Sequence, residues 1–262
     1  MSATFKSALP SASSCDSGDI RHINNDRVLS KKYTINNEEW GLFVVADGMG
    51  TGNEKGRTTA ESSQIVIDTL SAWWDKDLAT MLSIPYEPEN IIESLDNAIK
   101  LANTKTATMQ IGKLKGTTLS LLLIMGRKYS VKHVGNSRIY KINNRSGISM
   151  LTEDHTYAAV QIKAGMLTLE DAEVHPNRNA LTRCLGTNLM PEIFEIDGDI
   201  ESGDMFLICS DGFYRHISEE SMLDIVTDRM LSVEDKLQAL RMKIQYGNAQ
   251  DNVSIILTCP TS

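Results

Sequence analysis

The distribution of apolar and polar positions predicts a set of strands that are buried on both faces. Residues 42–46, LFVVA, form an apolar run that ends abruptly at Asp47-Gly48. A run of four to eight apolar residues is typical of a strand that is covered on both sides. We predict further strands as follows: three within residues 116–142, a short one ending at Leu151, and one each at residues 192–196, 205–209 and 253–258.

Four stretches show the spacing of helices that are apolar on one face: residues 58–74, 91–102, 218–230 and 233–244. Strands grouped among paired helices, without regular strand–helix alternation, favour α+β layers. No internal repeat or low-complexity linker divides the chain. We therefore predict one domain over residues 15–262, preceded by a mobile tail of residues 1–14. Within this domain, residues 156–190 lack strong apolar periodicity and are predicted to form a small surface flap.

The composition limits the class of protein. The 262 residues are 41% hydrophobic and 23% charged, which is ordinary for a soluble globular enzyme. The net charge of -8 argues against a nucleic-acid partner and against anionic membranes. The N-terminus has no secretory signal pattern, and no apolar run approaches the roughly 20 residues of a membrane span. The four cysteines lack metal-binding or paired spacing, so we predict reduced thiols in a cytoplasmic protein.

Carboxylates stand at the ends of several predicted strands. Asp47 and Asp211 each follow an apolar run and precede a glycine. Asp251 and Asp26 instead stand shortly before an apolar run. If the last strand runs antiparallel to the others, these acids converge at one edge of the core. Carboxylates about 4 Å apart repel by roughly 4 kcal/mol per pair at an effective dielectric near 20, so such a cluster needs counterions. Oxygen ligands of this kind suit Mg²⁺, Mn²⁺ or Ca²⁺ rather than zinc. The alternative is that each acid caps a turn or a helix.

Beyond these acids, eight short motifs occur in order along most of the chain. They are R-x-x-x-N-D at 21–26, D-G-M-G at 47–50, G-T-T at 116–118, G-x-S-R at 135–138, T-x-D-H at 152–155, L-T-R-x-L-G at 181–186, S-D-G at 210–212 and D-N at 251–252. In this combination the chain resembles the metal-dependent type 2C serine/threonine protein phosphatases (PPM family). The short length and Met49 are most similar to the bacterial members.

The resemblance implies a four-layer α-β-β-α sandwich, in which two antiparallel sheets are flanked by helix pairs. It also implies two Mn²⁺ or Mg²⁺ ions at one end of the sandwich. Asp47 would bridge both ions, the Gly48 carbonyl would bind one, and Asp211 and Asp251 would complete the shell of the other. Asp26 would orient the attacking water, which is activated between the ions.

The resemblance further implies that the Arg21 guanidinium holds the phosphate. The expected reaction is hydrolysis of phosphoserine and phosphothreonine in proteins, without a phosphoenzyme. The expected partners are phosphorylated proteins modified by a serine/threonine kinase, and the phosphatase is expected to be a monomer. The competing hypotheses are a weakly active module that binds phosphoproteins or regulators, and a structural cation-binding protein.

Three positions depart from the family pattern. Asn25 stands where an acid commonly precedes the position of Asp26. Asn136 replaces the acid of G-D-S-R, which the family uses for a third, weaker metal site, so we predict a poor third site. Met49 replaces the histidine that follows D-G in many eukaryotic members, and methionine cannot donate a proton to the leaving group.

Overall fold

The computed structural model describes residues 9–18, 23–35, 37–50, 60–108, 115–245 and 251–261. The strands within these ranges are β1 (Ser11–Asp16), β2 (Asp26–Ile35), β3 (Glu38–Gly50), β4 (Lys115–Thr117), β5 (Leu119–Met125), β6 (Lys128–Val134), β7 (Arg138–Asn143), β8 (Gly147–Met150), β9 (Phe194–Asp199), β10 (Met205–Cys209) and β11 (Val253–Thr258). The α-helices are α1 (Ala60–Ala72), α2 (Ala79–Met81), α3 (Pro88–Thr108), α4 (Tyr157–Lys163), α5 (Leu169–Val174), α6 (Asp211–Tyr214), α7 (Glu219–Thr227) and α8 (Val233–Gln245).

The strands form two antiparallel sheets. The first has the order β1-β11-β10-β7-β8, and the second has the order β2-β3-β5-β6-β9, with β4 paired to β3. Hairpin connections account for the pairs β2–β3, β5–β6 and β7–β8. The predicted α+β class with antiparallel sheets is therefore confirmed.

The central strand β3 shows why the two sheets stack. Phe43 and Val45 lie in an apolar core shared with residues of the first sheet, such as Ile208. Leu42 and Val44, with the opposite parity, lie in a second core beneath α1 and α3. Because successive side chains of a strand point to opposite faces, the continuous apolar run is buried on both sides, as predicted.

The outer layers are helix pairs. Helices α1 and α3 cover the second sheet, whereas α7 and α8 cover the first sheet through a core that includes Phe213 and Leu240. The order of layers is thus α-β-β-α, as the resemblance implied. Within the described ranges, no helix combines the length and the apolar content that crossing a bilayer requires.

The first helix is longer and less regular than its sequence pattern predicted. After Ala72 the chain continues as a π-helix, Trp73–Leu78, and then as the short helix α2. Trp73 and Trp74, the first two residues of the π-helix, are buried, and Trp73 Nε1 donates to Ser94 Oγ of α3 at 2.9 Å. The wider turns of the π-helix begin at these two adjacent indoles, which pack into one core.

The prediction of a mobile tail over residues 1–14 is wrong for residues 9–14. Ser11 begins β1, which pairs along its whole length with β11, and Leu9 is buried between the sheets. The small polar residues of β1 gave no apolar pattern, since its order comes from backbone pairing with the buried strand β11. Residues 1–8 lie outside the described ranges.

The flap predicted at residues 156–190 holds the two short helices α4 and α5 and no strand. Thr156 caps α4 by accepting from Ala159 N, and Thr168 caps α5 by accepting from Asp171 N at 3.1 Å. An isolated antiparallel bridge between Thr156 and Leu181 closes the base of the segment.

Candidate active site

Asp26 and Asp47 face each other at one end of the sandwich. They are direct partners in the antiparallel pairing of β2 with β3. Along β3, Asp47 points to the same face as Phe43 and Val45, and along β2, Asp26 points to the same face as Val28. Both carboxylates therefore lie on the face of the second sheet that packs against the first sheet. The strand pattern therefore places two acids where two sheets meet.

The other two acids approach from the first sheet. Asp211 begins α6 two residues after the end of β10, and Asp251 stands two residues before β11. On the facing strands the corresponding positions are Ser210 and Ser254, both fully buried. Serines are small, so they leave space for the carboxylates that enter from the second sheet. The acids thus converge across the sandwich, rather than along one sheet edge.

Burial and the negative charge of neighbouring acids raise the pKa of Asp26, Asp47 and Asp211. Burial raises the pKa of Asp47 well above its ordinary value, and the negative charges of Asp26, Asp211 and Asp251 raise it further. Burial also raises the pKa of Asp26 to about 6, against the opposing effect of the Ser254 and Ser210 hydroxyls. The pKa of Asp211 is raised by burial despite the nearby Arg215 cation. Ionisation of this group of acids therefore requires positive charge.

Asp26 has the clearest need for a partner. Both of its carboxylate oxygens are buried, and neither accepts a hydrogen bond of standard geometry from any part of the chain that the structure describes. A buried carboxylate that lacks well-formed hydrogen bonds is costly, whereas a cation or a cation-bound water satisfies it. The donor set, all oxygen, fits Mg²⁺ or Mn²⁺.

The acids form an open arrangement rather than a closed cage. Within the described ranges, no three carboxylate, imidazole or thiol groups are close enough to hold one ion between them. Mg²⁺ sites of proteins commonly keep several waters and take only one or two carboxylates. An ion at this site would therefore complete its shell with water.

Hydrogen bonds on both sides hold the Asp47-Gly48 backbone. Asp47 N donates to Thr118 Oγ1 at 3.0 Å, and Thr117 Oγ1 donates to Asp47 O at 3.0 Å. Gly48 N donates to the Asn25 carbonyl at 3.1 Å. The two threonines belong to the G-T-T motif, whose position was recognised in the sequence without a role. The structure indicates that this motif fixes the end of β3.

Gly212 allows the turn after Asp211 to pack against Asn252. A Cβ at position 212 would collide with the Asn252 carbonyl oxygen, so only glycine fits. The Asn252 side chain in turn accepts from Asn25 N at 2.9 Å and donates to Ser17 O at 3.0 Å. The D-N motif thus joins β11 to the loop that precedes Asp26.

The structure places the other residues considered from the sequence as follows. Arg21 lies outside the described residues, so its predicted contact with phosphate stays a prediction. Arg138 forms a bidentate ion pair with Asp154, at 2.9 and 2.7 Å, and Arg183 pairs with Glu192 at 2.7 Å. Both arginines therefore form ion pairs that hold neighbouring segments in place.

Two residues near the acids were not expected to touch Asp211. Asn136 Nδ2 donates to Asp211 Oδ2 at 3.0 Å, and Arg215 Nη2 lies 3.0 Å from the same oxygen. Asn136 was identified as a departure from the family pattern. Arg215 was missed, although its spacing of four residues from an acid that begins a helix is a signal that sequence inspection could have used.

Comparisons with known proteins agree with this geometry. A family model described as Protein phosphatase 2C matches residues 21–245. The chain is 30% identical over 249 residues to protein phosphatase PhpP of Streptococcus pneumoniae serotype 2, a match that covers 92% of this chain and 94% of that protein. The structure of the S. agalactiae serine/threonine phosphatase superposes with a TM-score of 0.82 at 26% identity, covering 95% of this chain and 98% of the other. The catalytic domain of PstP in complex with two manganese ions superposes with a TM-score of 0.76 at 26% identity, covering 97% and 99%.

Two stacked antiparallel sheets between helix pairs form the fold that this chain shares with bacterial serine/threonine phosphatases of known structure. The chain belongs to the protein phosphatase 2C family. The predicted family and the predicted enzyme class, a serine/threonine protein phosphatase, are thereby confirmed.

Proposed function

We propose that this phosphatase hydrolyses phosphoserine and phosphothreonine in proteins with two divalent metal ions, Mn²⁺ or Mg²⁺. The observation that carries the proposal is the convergence of Asp47 with three further carboxylates, Asp26, Asp211 and Asp251, whose negative charges raise its pKa. The complex of the related PstP catalytic domain with two manganese ions supports the same ion number. When bound, such ions lower the pKa of a water and neutralise charge on the phosphoryl oxygens.

Each acid of the proposed metal centre has a proposed task. Asp47 would contact both ions, and its backbone is held rigidly by Thr117 and Thr118. The Gly48 carbonyl would contribute one ligand at a position where no side chain blocks the approach. Asp211 and Asp251, which come from the other sheet, would complete one ion's shell.

Asp26 would act on water rather than on a metal ion. Its carboxylate is buried beside Asp47 and has no donor of standard geometry among the described residues, so it is available to accept a hydrogen bond from the attacking water. A fixed acceptor would hold this water in line with the phosphorus–oxygen bond. Arg21, which precedes this strand, would bind the phosphate through its planar guanidinium.

The decisive experiment is the hydrolysis of a phosphothreonine peptide with Mn²⁺, in the presence and absence of a chelator. We expect hydrolysis that stops with the chelator and that falls by at least about two orders of magnitude in Asp211→Asn, since one charged ligand is lost. Asp224→Asn, which removes an acid of α7 away from the acid cluster, is the control. Turnover that persists with the chelator, or that is equal in the two variants, would contradict the mechanism. Binding of the phosphopeptide without turnover would favour the phosphoprotein-binding module.

A further inference from the structure

Asp211 accepts two donors on a single carboxylate oxygen. The Arg215 guanidinium and the Asn136 amide both lie 3.0 Å from Asp211 Oδ2. Each oxygen of a carboxylate offers about two lone-pair positions, so these two donors fill Oδ2. Oδ1 takes part in neither bond. The Gly212 backbone N–H is a further donor to this carboxylate, and Oδ2 is the oxygen that lies beside the Arg215 cation.

Local structure explains the position of Arg215. Asp211 is the first residue of α6, and Arg215 follows the last residue of this single turn, which brings positions four apart onto one side. The Asp211 side chain is 13% exposed, whereas that of Arg215 is 36% exposed. The pair is thus more enclosed than an ordinary surface ion pair, because the acid is held at the cluster while the arginine reaches in from its rim.

Asn136 is fixed from the opposite side. It is buried in the turn between β6 and β7, and Tyr214 Oη donates to its carbonyl at 3.0 Å. The Tyr214 ring is itself covered by the Arg138 guanidinium at 3.7 Å. With the backbone held in this way, the amide presents its N–H to Asp211, since its oxygen would be repelled by the carboxylate.

We propose that Arg215 is a built-in cation that occupies the third cation position beside Asp211, so that this chain works with two metal ions and not three. The proposal rests on the proposed function. Arg215 acts through Asp211 and is a positioning residue: together with Asn136 it fills Oδ2 and offsets its charge, so that a metal ion would bind this carboxylate through Oδ1. Asn136, which is neutral, completes this arrangement without adding a second negative charge.

This assignment predicts that restoring the family's acid is not sufficient to create a third site. In Asn136→Asp, a second carboxylate would face the Arg215 guanidinium, and the arginine could pair with both acids. Only removal of the arginine together with restoration of the acid leaves two carboxylates without an internal cation. The two substitutions are therefore expected to be strongly non-additive.

The test counts the Mn²⁺ ions bound per chain by equilibrium dialysis, at one free Mn²⁺ concentration for all variants. We expect the unaltered chain, Asn136→Asp, Arg215→Lys and Arg215→Gln to bind equal numbers, and Asn136→Asp/Arg215→Gln to bind one more ion. Arg241→Gln is the matched control, because Arg241 Nη2 also lies 3.0 Å from an aspartate, Asp16, and is 34% exposed. Combined with Asn136→Asp, it should add no ion. Thermal unfolding without Mn²⁺ verifies that each variant folds.

Two results would overturn the assignment: an additional ion in Asn136→Asp with Arg215 intact, or none in the double variant. In both cases the number of bound Mn²⁺ ions is compared with that of the unaltered chain. Failure of the proposed function is a separate result, namely an unaltered chain that binds no Mn²⁺ and does not hydrolyse the phosphothreonine peptide.

Discussion

Asp26 and Asp204 are equally buried, at 1% and 2% exposure, but their surroundings are opposite. Asp204 pairs with Lys141 Nζ at 2.8 Å and accepts from Asn143 Nδ2 at 2.8 Å and from Glu201 N at 2.7 Å. Asp26 accepts no hydrogen bond of standard geometry within the described ranges, and its sheet partner is another acid, Asp47. The comparison teaches that a buried acid that stabilises the fold is surrounded by donors, whereas Asp26, at the proposed metal centre, accepts no hydrogen bond of standard geometry from the described residues.

The largest expected effect on the free energy of unfolding is at Asp204, the acid that is surrounded by donors. Asp204→Asn removes the charge that compensates Lys141 and weakens the bond to Glu201 N, so we expect a loss of about 3 kcal/mol in the free energy of unfolding. Urea unfolding measures this loss. Glu201→Gln is the control, because it changes the charge of an exposed neighbour and leaves its backbone N–H in place. A loss below about 0.5 kcal/mol would show that the pairing of Asp204 is irrelevant to stability.

His133 offers a third way of burying an ionisable group, namely in its neutral form. Ser120 Oγ lies 2.9 Å from its Nδ1, and the carbonyls of Gly135 and Glu153 lie 3.1 and 2.9 Å from its Nε2. Burial lowers the pKa of His133 to about 4, and the neighbouring His155 lowers it further.

The unfolded chain therefore binds a proton near pH 6.5 that the folded chain does not accept until about pH 4. The stability contributed by neutral His133 is complete above pH 6.5 and is lost as the pH falls toward 4, by up to about 3 kcal/mol. Urea unfolding across this window should show the slope, and His133→Gln should reduce it. His216→Gln, which changes a histidine outside this buried pair, should keep it. An unchanged slope in His133→Gln would contradict the assignment.

Removal of the Asp26 charge should raise the free energy of unfolding, whereas removal of the Asp204 charge should lower it. The pKa of Asp26 is raised to about 6, so ionisation above this pH costs folding free energy. Asp26→Asn is therefore expected to stabilise the metal-free protein by about 2 kcal/mol above pH 6, and by progressively less as the pH falls toward 4. The same variant should lose hydrolysis. Equal destabilisation in Asp26→Asn and Asp204→Asn would remove the distinction between the two regions.

The smallest effect is expected for an ion pair that is exposed. Lys163 Nζ lies 2.9 Å from Glu153 Oε2, and the two side chains are 75% and 54% exposed. Lys163→Gln should change the free energy of unfolding by less than about 0.5 kcal/mol. A loss as large as that in Asp204→Asn would show that distance, rather than burial and donors, determines the effect of a charge pair.

Apolar pattern predicted the fold well where the pattern was local. The strand Val253–Thr258 has the predicted bounds, and β3 is buried on both faces because its apolar run is continuous. The strand β1 was missed, since Ser11–Asp16 is ordered by pairing with β11 more than 200 positions away, which no local pattern records. The π-helix Trp73–Leu78 was missed for a related reason: its two indoles contact distant parts of the chain, Trp73 at Ser94 of α3 and Trp74 at Tyr33 of β2.

The candidate site was predicted as a set of acids, but its supporting contacts were not. Asp47 and Asp211 stand out because a charge ends an apolar run. Their convergence could not be derived, because the sequence does not show that β3 and β10 belong to facing sheets. The contact of Arg215 with Asp211 depends on the side-chain direction at a single helical turn. The position of Arg21 relative to these acids lies outside the described residues.

The central claim is that the acids at the end of the sandwich bind divalent metal ions. The most direct measurement is the thermal unfolding of the unaltered chain and of Asp47→Asn during titration with Mn²⁺. A ligand that binds only the folded state stabilises it by about 2.7 kcal/mol at one hundred times its dissociation constant. We therefore predict a melting temperature that rises with Mn²⁺ in the unaltered chain and stays constant in Asp47→Asn. A melting temperature that does not respond to Mn²⁺, or that rises equally in both proteins, would contradict the claim.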